Sequence, residues 1–142
     1  MRKHKGFTLV ELVVVVMILG ILAAVAAPKL LGTSSAATDN GLKQTLAVVR
    51  DAIERFAAEN GGTLPRGDTE ANFKLDLEPL LRGAFPKCPV AGGNDNVAFT
   101  ATAGPITVGG PESWHYNSGD GQFIVNSTAP TKSDASVNYN EL

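Results

Sequence analysis

Gly6-Phe7-Thr8-Leu9-Val10-Glu11 opens an apolar run that continues to Ala27, and this stretch decides how the chain is built. Residues 12–27 (LVVVVMILGILAAVAA) contain no polar side chain. As a helix rising 1.5 Å per residue, the segment from Phe7 to Ala27 spans about 31 Å, enough to cross the hydrocarbon core of a bilayer. Glu11 breaks the pattern. A carboxylate at such a depth costs about 2.5–3.5 kcal/mol on insertion scales and calls for a partner. Ahead of Gly6 stands a short basic leader, Met1-Arg2-Lys3-His4-Lys5, whose cations favour a cytoplasmic N-terminus.

Three readings account for such a segment. A secretory signal peptide has a 7–15-residue apolar core followed by a small-x-small cleavage site. Ala24-Val25-Ala26 has that form, but the run is too long for a typical signal core. An uncut transmembrane anchor explains the length and the flanking charge, yet treats Glu11 as an interfacial residue snorkelling toward headgroups. In the third reading Glu11 is an assembly group. A freed α-amine at Phe7 and the Glu11 carboxylate each need an opposite charge in hydrocarbon. Four residues apart on one helix, they could pair internally or between staggered copies.

The third reading is also that of a family. Gly6-Phe7-Thr8-Leu9-Val10-Glu11 behind a basic leader resembles the cleavage and methylation signature of type IV prepilins and type II secretion pseudopilins. The resemblance implies that a prepilin peptidase cuts after Gly6 and methylates Phe7. It further implies that Glu11, the fifth residue of the product, neutralises a neighbour's N-terminal amine. Gly20 and Pro28 match helix-weakening positions of such anchors; Pro28 removes one helical hydrogen bond, or simply marks a helix ending at the membrane surface. The likeness is strong over roughly the first thirty residues and is one of architecture beyond them.

The rest of the chain suits one small domain, since 142 residues with 44% hydrophobic content leave room for an anchor and a modest core. From Gly41 to Glu59 the spacing predicts an amphipathic helix, with Leu42, Leu46, Val49, Ile53 and Phe56 on one face. The weaker stretch 33–40 offers Asp39 or Asn40 as the cap of a second helix. Asn60-Gly61-Gly62 and Leu64-Pro65 end the helix. Residues 73–81 predict a short helix with turns. Asn96–Thr100 and Pro105–Val108 are strand candidates, and Trp114–Asn117 with Gln122–Asn126 predicts a hairpin around Ser118-Gly119-Asp120-Gly121. Ser127–Leu142 has little to bury and reads as a loose tail.

Candidate chemistry is sparse. Cys88 stands alone, so no internal disulfide forms, and a buried structural thiol is the simple reading. Many type IVa pilins carry a C-terminal cysteine pair, so the resemblance leans toward a pseudopilin. His4 lies in the leader, and His115 is a lone strand histidine. Asn117, Ser118, Asp120 and Asn126 are weak calcium candidates, since some major pseudopilins bind calcium in C-terminal loops; only Asp120 is charged, and turn formation is the simpler role. No nucleophile–base arrangement or phosphate loop is legible, so no catalytic residue and no cofactor is expected. A net charge of −2, which becomes −5 once Arg2, Lys3 and Lys5 are removed, gives nucleic acid no basic face.

The expected fold is α+β: a long N-terminal helix, transmembrane then amphipathic, packed on a small antiparallel sheet. The expected division is a cleaved leader (1–6), a transmembrane and polymerisation helix (7–28) and a periplasmic domain (29–142). The resemblance implies a single-pass inner-membrane protein, N-terminus cytoplasmic, that self-associates into the pseudopilus of a type II secretion system. Implied partners are the prepilin peptidase, other pseudopilins and an inner-membrane assembly platform. The alternatives are a type IV pilin for adhesion, motility or DNA uptake, and an uncleaved membrane-tethered binding module or enzyme.

Overall fold

The computed structural model describes residues 6–142; the leader residues Met1–Lys5, His4 among them, lie outside the described residues. Helix α1 runs without interruption from Leu9 to Glu59, 51 residues, about 76 Å of α-helix. Gly20 and Pro28 both lie inside it. No second helix starts near Asp39 or Asn40: Asp39 is a mid-helix residue, 1% exposed. The reason is tertiary, because its carboxylate finds partners outside the helix and has no free N-terminus to cap.

The two halves of α1 live in different surroundings. Every residue from Gly6 to Leu30 is exposed. The stripe Leu42, Leu46, Val49 and Ile53 is buried as the spacing predicts, with Ala52 beside it and Phe56 at its margin. Asn60 closes the helix, its backbone N–H donating to Phe56 O, and Gly61 and Gly62 turn the chain at positive φ.

Helix α2 (Glu70–Leu77) is capped by the Thr69 hydroxyl and continues into a 3₁₀ turn at Glu78–Leu80. Phe73 and Leu77 are its buried residues. Phe73 stacks on Tyr116 with centroids 4.4 Å apart and meets Phe85 and Phe99 edge-on. Trp114 packs on Phe123 at 5.2 Å. This aromatic layer joins α2 and the sheet over the α1 stripe.

Three strands form the sheet in the order β1–β2–β3: β1 (Val97–Thr100), β2 (Trp114–Asn117) and β3 (Phe123–Val125). The predicted hairpin is present, pairing Trp114 with Val125 and Tyr116 with Phe123 antiparallel. The expected all-antiparallel sheet is corrected to a mixed one, because β1 runs parallel to β2 with Val97 beside Trp114. Parallel neighbours need a crossover of a dozen or so residues. Residues 101–113 provide it, and Pro105–Val108, expected as a strand, are extended loop within it.

Because side chains alternate along a strand, Trp114 and Tyr116 enter the aromatic core while His115 and Asn117 face the crossover. All four are buried. Asn117 Nδ2 donates to the carbonyls of Thr102 (3.0 Å) and Gly104 (3.2 Å). Asn126 donates to Gly109 and Glu112 and accepts from the Gly109 N–H. The crossover is thereby tied down as a lid on the outer face of the sheet.

The loose tail is also corrected. Asp39 accepts from the Ser133 N–H (2.7 Å) and the Tyr139 hydroxyl (3.0 Å), and Tyr139 is buried. Arg50 donates through Nε to Phe123 O and through a terminal nitrogen to Leu142 O, both at 2.9 Å. Residues 127–142 thus clasp α1 at two levels. Burial pushes the Asp39 carboxyl up, but the bonds from Ser133, Tyr139 and the Lys132 region outweigh it and hold it below its ordinary 3.8. A carboxyl depressed in the folded state stabilises above its unfolded value and loses that contribution as pH falls through the folded one.

Followed by Trp114 fluorescence in detergent, Asp39→Ala should therefore cost about 1–3 kcal/mol by stranding two donors. Asp39→Asn should lose stability at pH 7 while flattening the acid-induced loss below pH 4. Wild-type melting at pH 7 in both variants would contradict the clasp.

Candidate functional site: the processing and assembly segment

Gly6, Phe7 and Thr8 precede the helix and are not helical. Thr8 sits in the extended region (φ −81°, ψ 152°), and its hydroxyl accepts from the Glu11 N–H at 3.2 Å. Glu11 reaches back in return: its Oε2 accepts from the Thr8 N–H (2.8 Å) and the Thr8 hydroxyl (2.7 Å). This reciprocal capping box fixes the first turn of α1 and places a negative charge where the helix dipole favours one. The Thr-x-x-Glu spacing is its signal in the sequence, and it shares its six residues with the cleavage motif. In the described chain the Glu11 partner is Thr8.

The Gly6–Phe7 peptide bond therefore lies in an exposed, non-helical lead-in just ahead of the box. Phe7 is 82% exposed. A Cβ built on Gly6 or Gly20 meets no atom within 4 Å, so neither glycine is required by contacts within its own chain. The helix is long and apolar enough to cross a membrane, and none of its most apolar window is buried inside the fold. Its side chains are left for lipid or for other molecules to cover.

The calcium candidates form a different structure. The Gly119 N–H donates to Asn117 Oδ1 (2.9 Å), which fixes the orientation of that amide. Asn117 Nδ2 then points into oxygens of Thr102, Gly104 and Asp120. Asp120 Oδ1 accepts from the Gln122 N–H and Oδ2 from the Gly104 N–H, both at 3.0 Å. In this arrangement the Asn117 amino group, a donor, stands among these oxygens. Ser118 bonds Thr100 O, and Asn126 is committed to the crossover. Among the described residues, no group of three or more His, Cys, Asp or Glu is placed to hold a metal.

His115 contacts the Thr100 hydroxyl through Nε2 at 2.8 Å, and burial holds its ring below the ordinary histidine value. Cys88 is buried, and burial pushes its thiol up, away from the reactive thiolate. Both belong to the packing of the domain.

Comparison with known proteins points to the same segment. The family described as "Prokaryotic N-terminal methylation motif" matches residues 1–27. The fimbrial protein EcpB of Eikenella corrodens is 35% identical over 106 residues, covering 73% of this chain and 62% of that protein. The type IV wide pilus major component PilA4 of Thermus thermophilus is 44% identical over 115 residues, 72% of this chain and 84% of that protein. Type II secretion system core protein G of Vibrio cholerae is 40% identical over 60 residues, 42% of this chain and 41% of that protein. The chain thus spans less than two thirds of the length of EcpB and of the Vibrio protein. No solved structure matches it. With its prepilin-type N-terminus, its long apolar helix and its α+β domain, the chain belongs to the type IV pilin-like family, the group of pilins and pseudopilins.

Proposed function

We propose that the chain is the precursor of a structural subunit, cut after Gly6, methylated at Phe7 and polymerised through α1 into a pilus-like fibre. The observation that carries this reading is the exposed Gly6–Phe7 bond ahead of a capped helix whose apolar half, to Leu30, is uncovered. Residues 7–28 span the inner membrane in the precursor, with Arg2, Lys3 and Lys5 holding the N-terminus in the cytoplasm and residues 29–142 in the periplasm. Gly20 and Pro28 are its weak points, and a prepilin peptidase and an assembly platform act on it. The fibre is read as the pseudopilus of a type II secretion system, supported by the lone Cys88 and by the core protein G relatives. A surface pilus is the second reading. It is favoured by EcpB and PilA4, a fimbrial and a pilus protein that each match more than 70% of this chain.

Glu11 has a separate role in this account. Freed by cleavage, the Phe7 amine of a neighbouring copy competes with Thr8 for the carboxylate, and a charge pair in low dielectric outweighs neutral donors. Side-chain acceptors can be kept while the charge is removed. Glu11→Gln retains a capping box but cannot neutralise an amine.

Mass spectrometry of the membrane-extracted protein should find a first residue of N-methylated Phe7; an intact Met1, or any other first residue, would contradict the processing. Glu11→Gln and Glu11→Ala should both insert and be cut, and both should fail to polymerise; normal fibres from Glu11→Gln would remove the charge from the account. Loss of the gene should abolish export of folded proteins in a type II system, whereas loss of surface fibres with export intact would favour the pilus. The melting midpoint should be the same in chelator and in calcium, and a rise on adding calcium would contradict the donor set around Asn117.

A further inference from the structure

Apolar surface on the domain is concentrated in one place. Beyond residue 31, the large hydrophobic side chains left exposed are Val48 on α1 (55%) and Leu75 on α2 (58%). Each lines one of two adjoining hollows. The first, about 750 Å³, lies along α2 with Leu75, Leu81 and Phe85 in its walls. The second, about 360 Å³, opens on α1 at Gly41, Gln44 and Val48. Leu81 and Ala84 belong to both, so the two form one groove along the side of α1. Two cations stand at its rim: Lys74, met by Glu70 (2.6 Å) and Asp95 (2.7 Å), and the exposed Arg82, whose long stem leaves its head free to point into solvent. The groove therefore suits an apolar occupant better than an anion.

On α1 the groove terminates a longer stripe. Leu30, Ser34, Ala37, Gly41, Gln44 and Val48 recur at +4, +3, +4, +3 and +4, and all six are exposed. Followed toward the N-terminus, the same stripe continues through Ala27, Ala23 and Gly20 into the uncovered apolar half. A seam of this period accepts another helix lying nearly parallel to it. Residues 12–27 of every copy are such a helix, with no polar side chain and no cover in their own fold. In a fibre that has left the lipid, this surface must be buried against other copies.

We propose that the groove between α1 and α2, walled by Leu75, Leu81 and Ala84 and ending at Val48, seats the apolar half of α1 from a second copy. The proposal rests on the fibre reading above. Helix and groove are different surfaces of one subunit, so each copy both gives and receives and the array stays open-ended. The level of Gly20 and the level of Gln44 are 24 residues apart, which corresponds to about 36 Å along the helix axis. Seating Gly20 at the level of Gln44 displaces parallel copies by that amount along the fibre.

The test is cross-linking in fibres of the full chain carrying Cys88→Ala, with Val48→Cys combined in turn with single cysteines across positions 14–25. Oxidation should give covalent multimers whose yield peaks every three to four residues near the level of Ala24, and Val48→Cys alone should give none. A flat profile, or 48-to-48 dimers only, would overturn the proposal. Val48→Asp and Leu75→Asp, both at exposed positions, should leave the melting of the domain unchanged and lower fibre yield about tenfold, because each puts an unpaired charge into an apolar contact. Full fibre yield from both would overturn it. Loss of fibres without cross-links at any position would also overturn it and place a different protein in the groove. A chain that is cut at Phe7 yet makes no fibre refutes the function itself, whereas fibres without these cross-links refute this contact alone.

Discussion

The constraint on which the molecule turns is that one continuous helix joins two incompatible environments. From Gly6 to Leu30 nothing among the described residues covers the chain, while from Leu42 to Ile53 the apolar stripe of α1 is the floor of the core. Because the helix is uninterrupted from Leu9 to Glu59, the apolar half is joined to the domain with no linker between them. Moving that half from lipid into contact with other copies moves the domain with it. The hydrophobic effect requires that half to be covered in either setting but does not drive the exchange, since lipid tails are as apolar as its side chains, and Glu11 with its capping partner Thr8 marks the end at which charge must be matched.

The domain is built to hold α1 from several sides. Aromatic rings of α2 and the sheet cover its stripe, and residues 127–142 clasp it through Asp39 and Arg50. The clasp begins at the level where exposure ends, so α1 leaves the domain at a defined point and direction. On the far side of the sheet, Asn117 and Asn126 hold the crossover as a lid, making β2 buried on both faces although the sheet has only three strands.

Periodicity made much of this legible. The apolar run, the stripe from Leu42 to Phe56 and the hairpin at Trp114–Asn117 follow from spacing, because each buries a face whose period matches its element. What periodicity cannot give is the partner of a face. It placed β1 but not its direction, since a strand reads alike in parallel and antiparallel pairing. Asp39 looked like a cap because its local chemistry suits one, whereas its partners stand about a hundred residues away. The tail seemed loose because its anchors, Tyr139 and the Ser133 N–H, are single groups with no repeating pattern. At the N-terminus, the cleavage motif was plain and the Thr8–Glu11 box, written in the same six residues, was overlooked.

The central claim is that the uncovered half of α1 exchanges lipid for protein when the subunit assembles. It is tested most directly by a nitroxide placed at Ile18, where oxygen accessibility reports contact with lipid. The buried Cys88 should remain unlabelled. The account predicts high oxygen accessibility for the subunit in the membrane and an immobile, oxygen-shielded label in the fibre. A label that stays accessible to oxygen, or becomes accessible to water, in the assembled fibre would contradict it.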